Sequence, residues 1–158
     1  MYETGDYVIC RNGGVWKIIG VRMDAQAAGP AEYVLSAHEA HEKEMTVPEG
    51  GDEIVRKIAD KETIADAIGR IPYIRTIQAP NEKTRMAFYE EAMSKYDEVE
   101  WIKVIKSVYL RRQKGIKSPE AAYAARAVQY LHSEVAILLD IPFADVENFI
   151  GESVTQNT

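Results

Sequence analysis

Gly5-Asp6-Tyr7-Val8-Ile9-Cys10-Arg11-Asn12-Gly13-Gly14-Val15-Trp16-Lys17-Ile18-Ile19-Gly20-Val21 decides how the N-terminal part of the chain is read. Tyr7–Cys10 reads as a short strand and Val15–Val21 as a second. Between them, Asn12-Gly13 is the dipeptide that best tolerates the positive φ angles of a two-residue type I′ turn. Gly5 and Gly20 bracket the ribbon and predict sharp bends on entry and exit. Working outward, Glu32–Ser36, Met45–Val47 and Ile54–Ile58 read as three more short strands, the fourth ended by Pro48 and Gly50-Gly51. Short strands joined by tight turns at this density predict a small SH3-like or Tudor-like β-barrel.

Beyond the strands the period changes. Asp60 is placed to cap a short helix carrying Ile64, Ala65 and Ile68 on one face, with Pro72 just past its end. The stretch from Pro72 to Pro80 has two flanking prolines and no helical period, so it reads as a domain boundary. Asn81 then caps a helix with Met86, Tyr89, Ala92 and Met93 as its apolar positions. Asp97 and Glu100 form a capping-box-like start for the next helix, whose stripe is Trp101, Ile105, Val108 and Tyr109 and which Gly115 ends. Ser118-Pro119-Glu120 opens another helix with a hydroxyl cap, a first-turn proline and an acid facing the dipole. Its stripe is Ala121, Ala125, Val128, Leu131, Val135, Leu138 and Leu139, and a last short helix runs from Phe143 to Ile150 and stops at Gly151. The predicted class is α+β. It consists of a small SH3/Tudor-like barrel with a short terminal helix over 1–72, a linker over 73–80, a compact all-helical domain over 81–151 and a flexible tail over 152–158.

Charge and composition narrow the function classes. The 158 residues are 46% hydrophobic and 28% charged, the balance of a soluble globular protein. No apolar run approaches the roughly 20 residues that span a bilayer, and no charged-then-apolar N-terminal signal is seen. With the single Cys10, which allows no internal disulfide, this predicts a cytoplasmic protein and no membrane partner. The net charge of −6 argues against nucleic-acid binding by the whole surface. Yet the segment Lys103–Lys117 holds Lys103, Lys106, Arg111, Arg112, Lys114 and Lys117 with no acid among them. Such a run is either a solvated helix face or a phosphate-contacting patch.

Catalytic chemistry is not found. His38-Glu39-Ala40-His41, with Glu42 and Glu44 nearby, lacks the i, i+4 histidine spacing of a helical metal motif and reads as a solvated hairpin loop. Gly13-Gly14 belongs to a hairpin and is not followed by the helix N-terminus and lysine of a phosphate-cradling loop. Cys10 reads as a packing residue, and His132 lies beside an apolar stripe with no evident partner. The prediction is a non-enzyme with no metal, no cofactor and no small-molecule substrate.

Set beside each other, these motifs carry a family likeness. Gly5-Asp6-Tyr7-Val8, Asn12-Gly13-Gly14-Val15 and Lys17-Ile18 are followed by Ile71-Pro72, Asn81-Glu82-Lys83 and Tyr109-Leu110-Arg111-Arg112-Gln113. Leu138-Leu139-Asp140-Ile141-Pro142, Val146-Glu147 and Ile150 complete the set. In order and across both halves, the chain resembles the CarD-type bacterial transcription regulators. The resemblance implies a factor whose Tudor-like domain binds the RNA polymerase beta subunit, partly by strand pairing at a barrel edge. It also implies a helical domain that contacts promoter DNA at the upstream edge of the transcription bubble, stabilising the open complex.

Carried onto this sequence, the polymerase-binding edge falls at Met45, Thr46 and Val47 with Arg22 close by. Asp24 and Thr46 stand where some members of that family have arginine, and for Thr46 a plain strand role is the other reading. Glu82 stands where well-known members carry a DNA-wedging tryptophan. Trp101 falls on a core stripe and Trp16 in a strand, so neither replaces it. DNA contact would then rest on Lys83, Arg85, Lys106, Arg111, Arg112, Lys114 and Lys117, through phosphates and with little sequence readout. The alternative is a protein-interaction adaptor that uses the same edge and binds no DNA.

Overall fold

The computed structural model describes residues 2–23, 29–39, 42–115 and 119–156. The chain is α+β and divides into two units, Met1–Ile58 and Ala59–Thr158.

The first unit is a sheet of β1 (Tyr7–Cys10), β2 (Val15–Arg22), β3 (Glu32–Ala37), β4 (Glu44–Pro48) and β5 (Ile54–Lys57). All neighbours are antiparallel, in the order β4-β3-β2-β1-β5. The strands lie where the sequence places them, but the expected barrel does not close: among the described residues β4 and β5 each have a single strand neighbour. Alternation explains the core. Tyr33 and Leu35 on β3 and Val47 on β4 point to one face, where they meet Val8, Cys10 and Ile18, with Tyr2, Trp16, Met45 and Ile54 packed around them. Full burial of each large aliphatic side chain is worth about 1.5–3 kcal/mol, so this face, not the turns, sets the strand register.

The hairpin turn differs from the type I′ expectation. Gly13 N–H donates to Cys10 C=O at 3.2 Å, closing a turn whose centre is Arg11-Asn12, and the positive φ angles fall on Gly13 (110°) and Gly14 (81°). Asn12 is not among the positive-φ residues, because the four-residue connection 11–14 puts its left-handed positions on the two glycines. Trp16 Nε1–H donates to Gly13 C=O at 2.9 Å, so this tryptophan packs and pins the turn. Burial, helped by Glu53, pushes the Cys10 thiol up to about 12, in keeping with a packing residue.

The second unit begins earlier than the expected boundary at 72. It comprises α1 (Lys61–Gly69), a 3-10 turn (Ile71–Tyr73), α2 (Glu82–Met93), α3 (Glu98–Gln113), α4 (Glu120–Leu139), a second 3-10 turn (Phe143–Asp145) and α5 (Val146–Gln156). The N-caps are those read from sequence: Asp60 accepts from Thr63 N–H, Asn81 from Thr84 N–H, and Asp97 from Val99 and Glu100 N–H. The segment 73–80, expected as a linker, is tied to α3 at several points. Ile74 is buried, Ile77 N–H donates to Ser107 Oγ at 2.8 Å, and Lys106 Nζ donates to the carbonyls of Ile71 (2.9 Å) and Ile74 (2.8 Å).

The apolar stripes are close to those expected, with local shifts. α1 buries Ile64, Ala67 and Ile68, an i, i+3, i+4 set, while Ala65 is exposed. α2 buries Tyr89, Ala92 and Met93, and α3 buries Trp101, Ile102, Val104 and Val108, leaving Tyr109 58% exposed. On α4 the buried face is Ala127, Tyr130, Leu131, Val135 and Ala136, and Ala125 is exposed. Trp101 stacks on Tyr130 with centroids 5.0 Å apart and planes 9° apart, the core role predicted for it. α4 starts after Pro119 without a side-chain cap bond, and Ser118 lies outside the described residues. The last helix does not stop at Gly151 but continues through the expected flexible tail to Gln156.

Candidate functional site

The docking residues drawn from the resemblance fall on an edge of the sheet. Met45, Thr46 and Val47 belong to β4, which among the described residues pairs only with β3. Thr46 is exposed, Met45 is half-buried against the core and Val47 is buried. Arg22 ends β2, two strands in, exposed and opposite Glu32. Edge and arginine are therefore on one sheet but not adjacent. Asp24 lies outside the described residues.

The basic residues separate into two groups. Lys83 in the first turn of α2, Arg112 in the last turn of α3 and Lys114 just beyond it are exposed. Arg85, Lys106 and Arg111 are drawn inward, and Lys117 lies outside the described residues. Lys106 caps the turn after α1 as described. Arg111 Nε lies 2.8 Å and 2.9 Å from the two oxygens of Glu120, and Arg85 Nε lies 3.7 Å from the same carboxylate, its Nη2 donating to Ala79 C=O at 3.1 Å. Glu82, at the position of the family's wedge, is an exposed residue in the first turn of α2.

Glu120 is the residue that sequence reasoning missed. It was legible as a first-turn acid, but it is 2% exposed and joins three helices: Arg85 and Tyr89 from α2, Arg111 from α3 and itself from α4. Tyr89 O–H donates to Glu120 Oε2 at 3.3 Å, and burial followed by that carboxylate pushes the phenol up to about 12. Tyr89 also stacks on Tyr123, whose hydroxyl donates to Glu90 at 2.8 Å and is held up by that bond. A buried carboxylate between two guanidinium groups fixes the relative placement of helices, since neither charge can be left alone at that depth. It is a structural cluster. No group in it is arranged as a nucleophile with a base.

Cavities of two kinds open among the described residues of the helical unit. One of about 270 Å³ is lined by Arg75, Phe88, Lys95 and Lys103, but its cations are offset by Glu91 and by Glu100, which pairs with both lysines at 3.6 and 3.1 Å. The other, about 220 Å³, is lined by Ile102, Ile105, Tyr109, Leu131, His132 and Ile150. Burial lowers the His132 pKa against the opposing pull of Glu147. No group of three metal-ligating side chains is present among the described residues, and His38 meets Glu39 at 3.1 Å, while His41 lies outside them. No helix among the described residues is long and apolar enough to cross a membrane. No protein-family model matches the chain, and no curated protein matches it either.

Proposed function

We propose that this protein is a transcription regulator that docks on the RNA polymerase beta subunit through β4 of its N-terminal, Tudor-like sheet. Its helical unit then contacts promoter DNA and stabilises the open complex. The observation that carries the reading is the position of β4. The segment singled out by the CarD-type resemblance is an edge strand with no strand on its outer side among the described residues, and such an edge is a template for strand addition. Lys83, Arg112 and Lys114 are the exposed cations available to phosphates.

The test is capture of a purified lobe of the polymerase beta subunit by the full chain, compared with Thr46→Pro. Proline on an edge strand removes an outward N–H without breaking the inner ladder, so the variant should fold and lose binding by about tenfold or more. Equal capture by both proteins, or none by either, refutes the docking role. The inward commitment of Arg85, Lys106 and Arg111 favours a second reading, an adaptor that uses the same edge without DNA. Affinity for forked duplex DNA that is absent, or does not change with salt, even with the polymerase present selects it.

A further inference from the structure

The ladder fixes which backbone groups of β4 are open. Ala37 N–H donates to Lys43 C=O at 3.0 Å, and Glu49 N–H donates to Ala31 C=O at 2.8 Å. Bonded pairs in an antiparallel ladder recur at every second residue, so Met45 and Val47 turn their groups to β3. Glu44, Thr46 and Pro48 turn theirs outward. Pro48 has no N–H, and its C=O accepts from Gly51 N–H at 3.1 Å. The usable template is therefore Glu44 and Thr46, each with one N–H and one C=O. The opposite edge, β5, carries a register break against Ile9 and Cys10, and such a bulge turns an edge away from partners.

Side chains then set what can pair there. On one face Met45 and Val47 extend the apolar row that begins at Leu35 and Tyr33. On the other, Glu44 and Thr46 are exposed. With Glu44 itself the acids are Glu32, Glu42 and Glu49, against Lys43 and, two strands in on β2, Lys17 in line with Glu44 and Arg22 in line with Pro48, so the edge is net acidic by one charge. We infer that the β4 edge selects a short cationic strand. The segment runs antiparallel to β4 in the order apolar, polar, apolar, basic from its N-terminus, with the basic side chain opposite Glu44. This rests on β4 being the docking edge and adds the length and charge of what docks.

The test uses the isotope-labelled full chain and two blocked peptides that share a valine-threonine-valine core followed by lysine in one and glutamate in the other. Amide shifts of Glu44 and Thr46 report binding, read up to about 5 mM because so short a strand binds in the millimolar range. The lysine peptide should bind about two- to fivefold tighter than the glutamate peptide, the span of a cross-strand charge pair. Glu44→Lys should invert that order. Methylating the peptide nitrogen opposite Thr46 removes the donor to Thr46 C=O and should abolish binding without any change to the protein. The inference is overturned if the glutamate peptide binds equally well, if the preference survives Glu44→Lys, or if neither peptide moves these amides. Capture of the polymerase beta subunit is scored in parallel. Its absence with the peptide preference intact removes the polymerase reading alone, and capture without any preference removes this inference alone.

Discussion

Glu120→Ala tests whether the buried carboxylate holds the helical unit together. The substitution leaves the Arg111 and Arg85 side chains, 24% and 14% exposed, without their shared anion, and it leaves the Tyr89 hydroxyl without its acceptor. Breaking a buried pair by removing one partner costs about 3–5 kcal/mol. Both guanidinium groups keep some water, and Arg85 retains its bond to Ala79 C=O, so the loss should sit near the lower end, about 3 kcal/mol. For a unit of this size each 1 kcal/mol moves the midpoint by about 4–8 °C, which gives a fall of about 12–24 °C. Glu120→Gln keeps the volume and one acceptor and should lose about 1–2 kcal/mol. The assay is thermal unfolding followed by Trp101, buried in the same unit, in a Trp16→Phe background that silences the other tryptophan. A loss below about 1 kcal/mol for Glu120→Ala would refute the argument, since it would mean that the two arginines find equivalent partners or water when the carboxylate is gone.

Lys106→Ala should cost about 1–2 kcal/mol in urea unfolding, because the carbonyls of Ile71 and Ile74 lose their donor, and should leave any salt dependence of DNA binding unchanged. Arg112→Ala with Lys114→Ala should do the opposite: stability within about 0.5 kcal/mol of the parent, and a salt slope on forked duplex, measured with the polymerase present, lower by about 1.8. His132 has a pKa lowered by burial, so its neutral form is favoured in the folded state. Its contribution is present above the ordinary value of 6.5 and declines as pH falls below it, because the unfolded chain takes the proton first. The difference in urea midpoint between parent and His132→Leu should therefore drift against the parent from about pH 7.5 to about pH 5.5, and a flat difference would remove the histidine from the pH dependence.

What was legible in the sequence is what local rules decide. Asp60, Asn81 and Asp97 cap their helices because a cap needs only one side chain and the next few N–H groups. The five strands were legible because alternation is written along each of them. Closure of the sheet was not, since it depends on whether β4 and β5 meet, and neither strand carries that information. The boundary at 72 failed for a related reason: the proline-bounded segment lacks a helical period, but Lys106 and Ser107, far along the chain, bind its backbone into the helical unit. Charge was the least legible. Arg111 and Arg112 are neighbours in sequence, yet about 100° of helical rotation separates them. One faces Glu120 and the other faces water, and a count of basic residues treats them alike.

That division of the basic residues constrains how DNA could be used on the proposed reading. Lys83, Arg112 and Lys114, if all three met phosphates, would give a salt slope of only about 2.7, well below that of proteins that hold duplex DNA by charge alone. The net charge of −6 adds long-range repulsion. Free in solution, the helical unit would then bind DNA weakly at physiological salt. Docked through β4, the same unit would be held beside the promoter at an effective concentration in the millimolar range, where a millimolar contact is half occupied. DNA binding should therefore be detectable with the polymerase present and nearly absent without it. Thr46→Pro, which touches no DNA-facing residue, should remove the DNA contact along with the docking. If that variant still shifts forked DNA as well as the parent does, the two contacts are independent and the tether is not what makes the weak one useful.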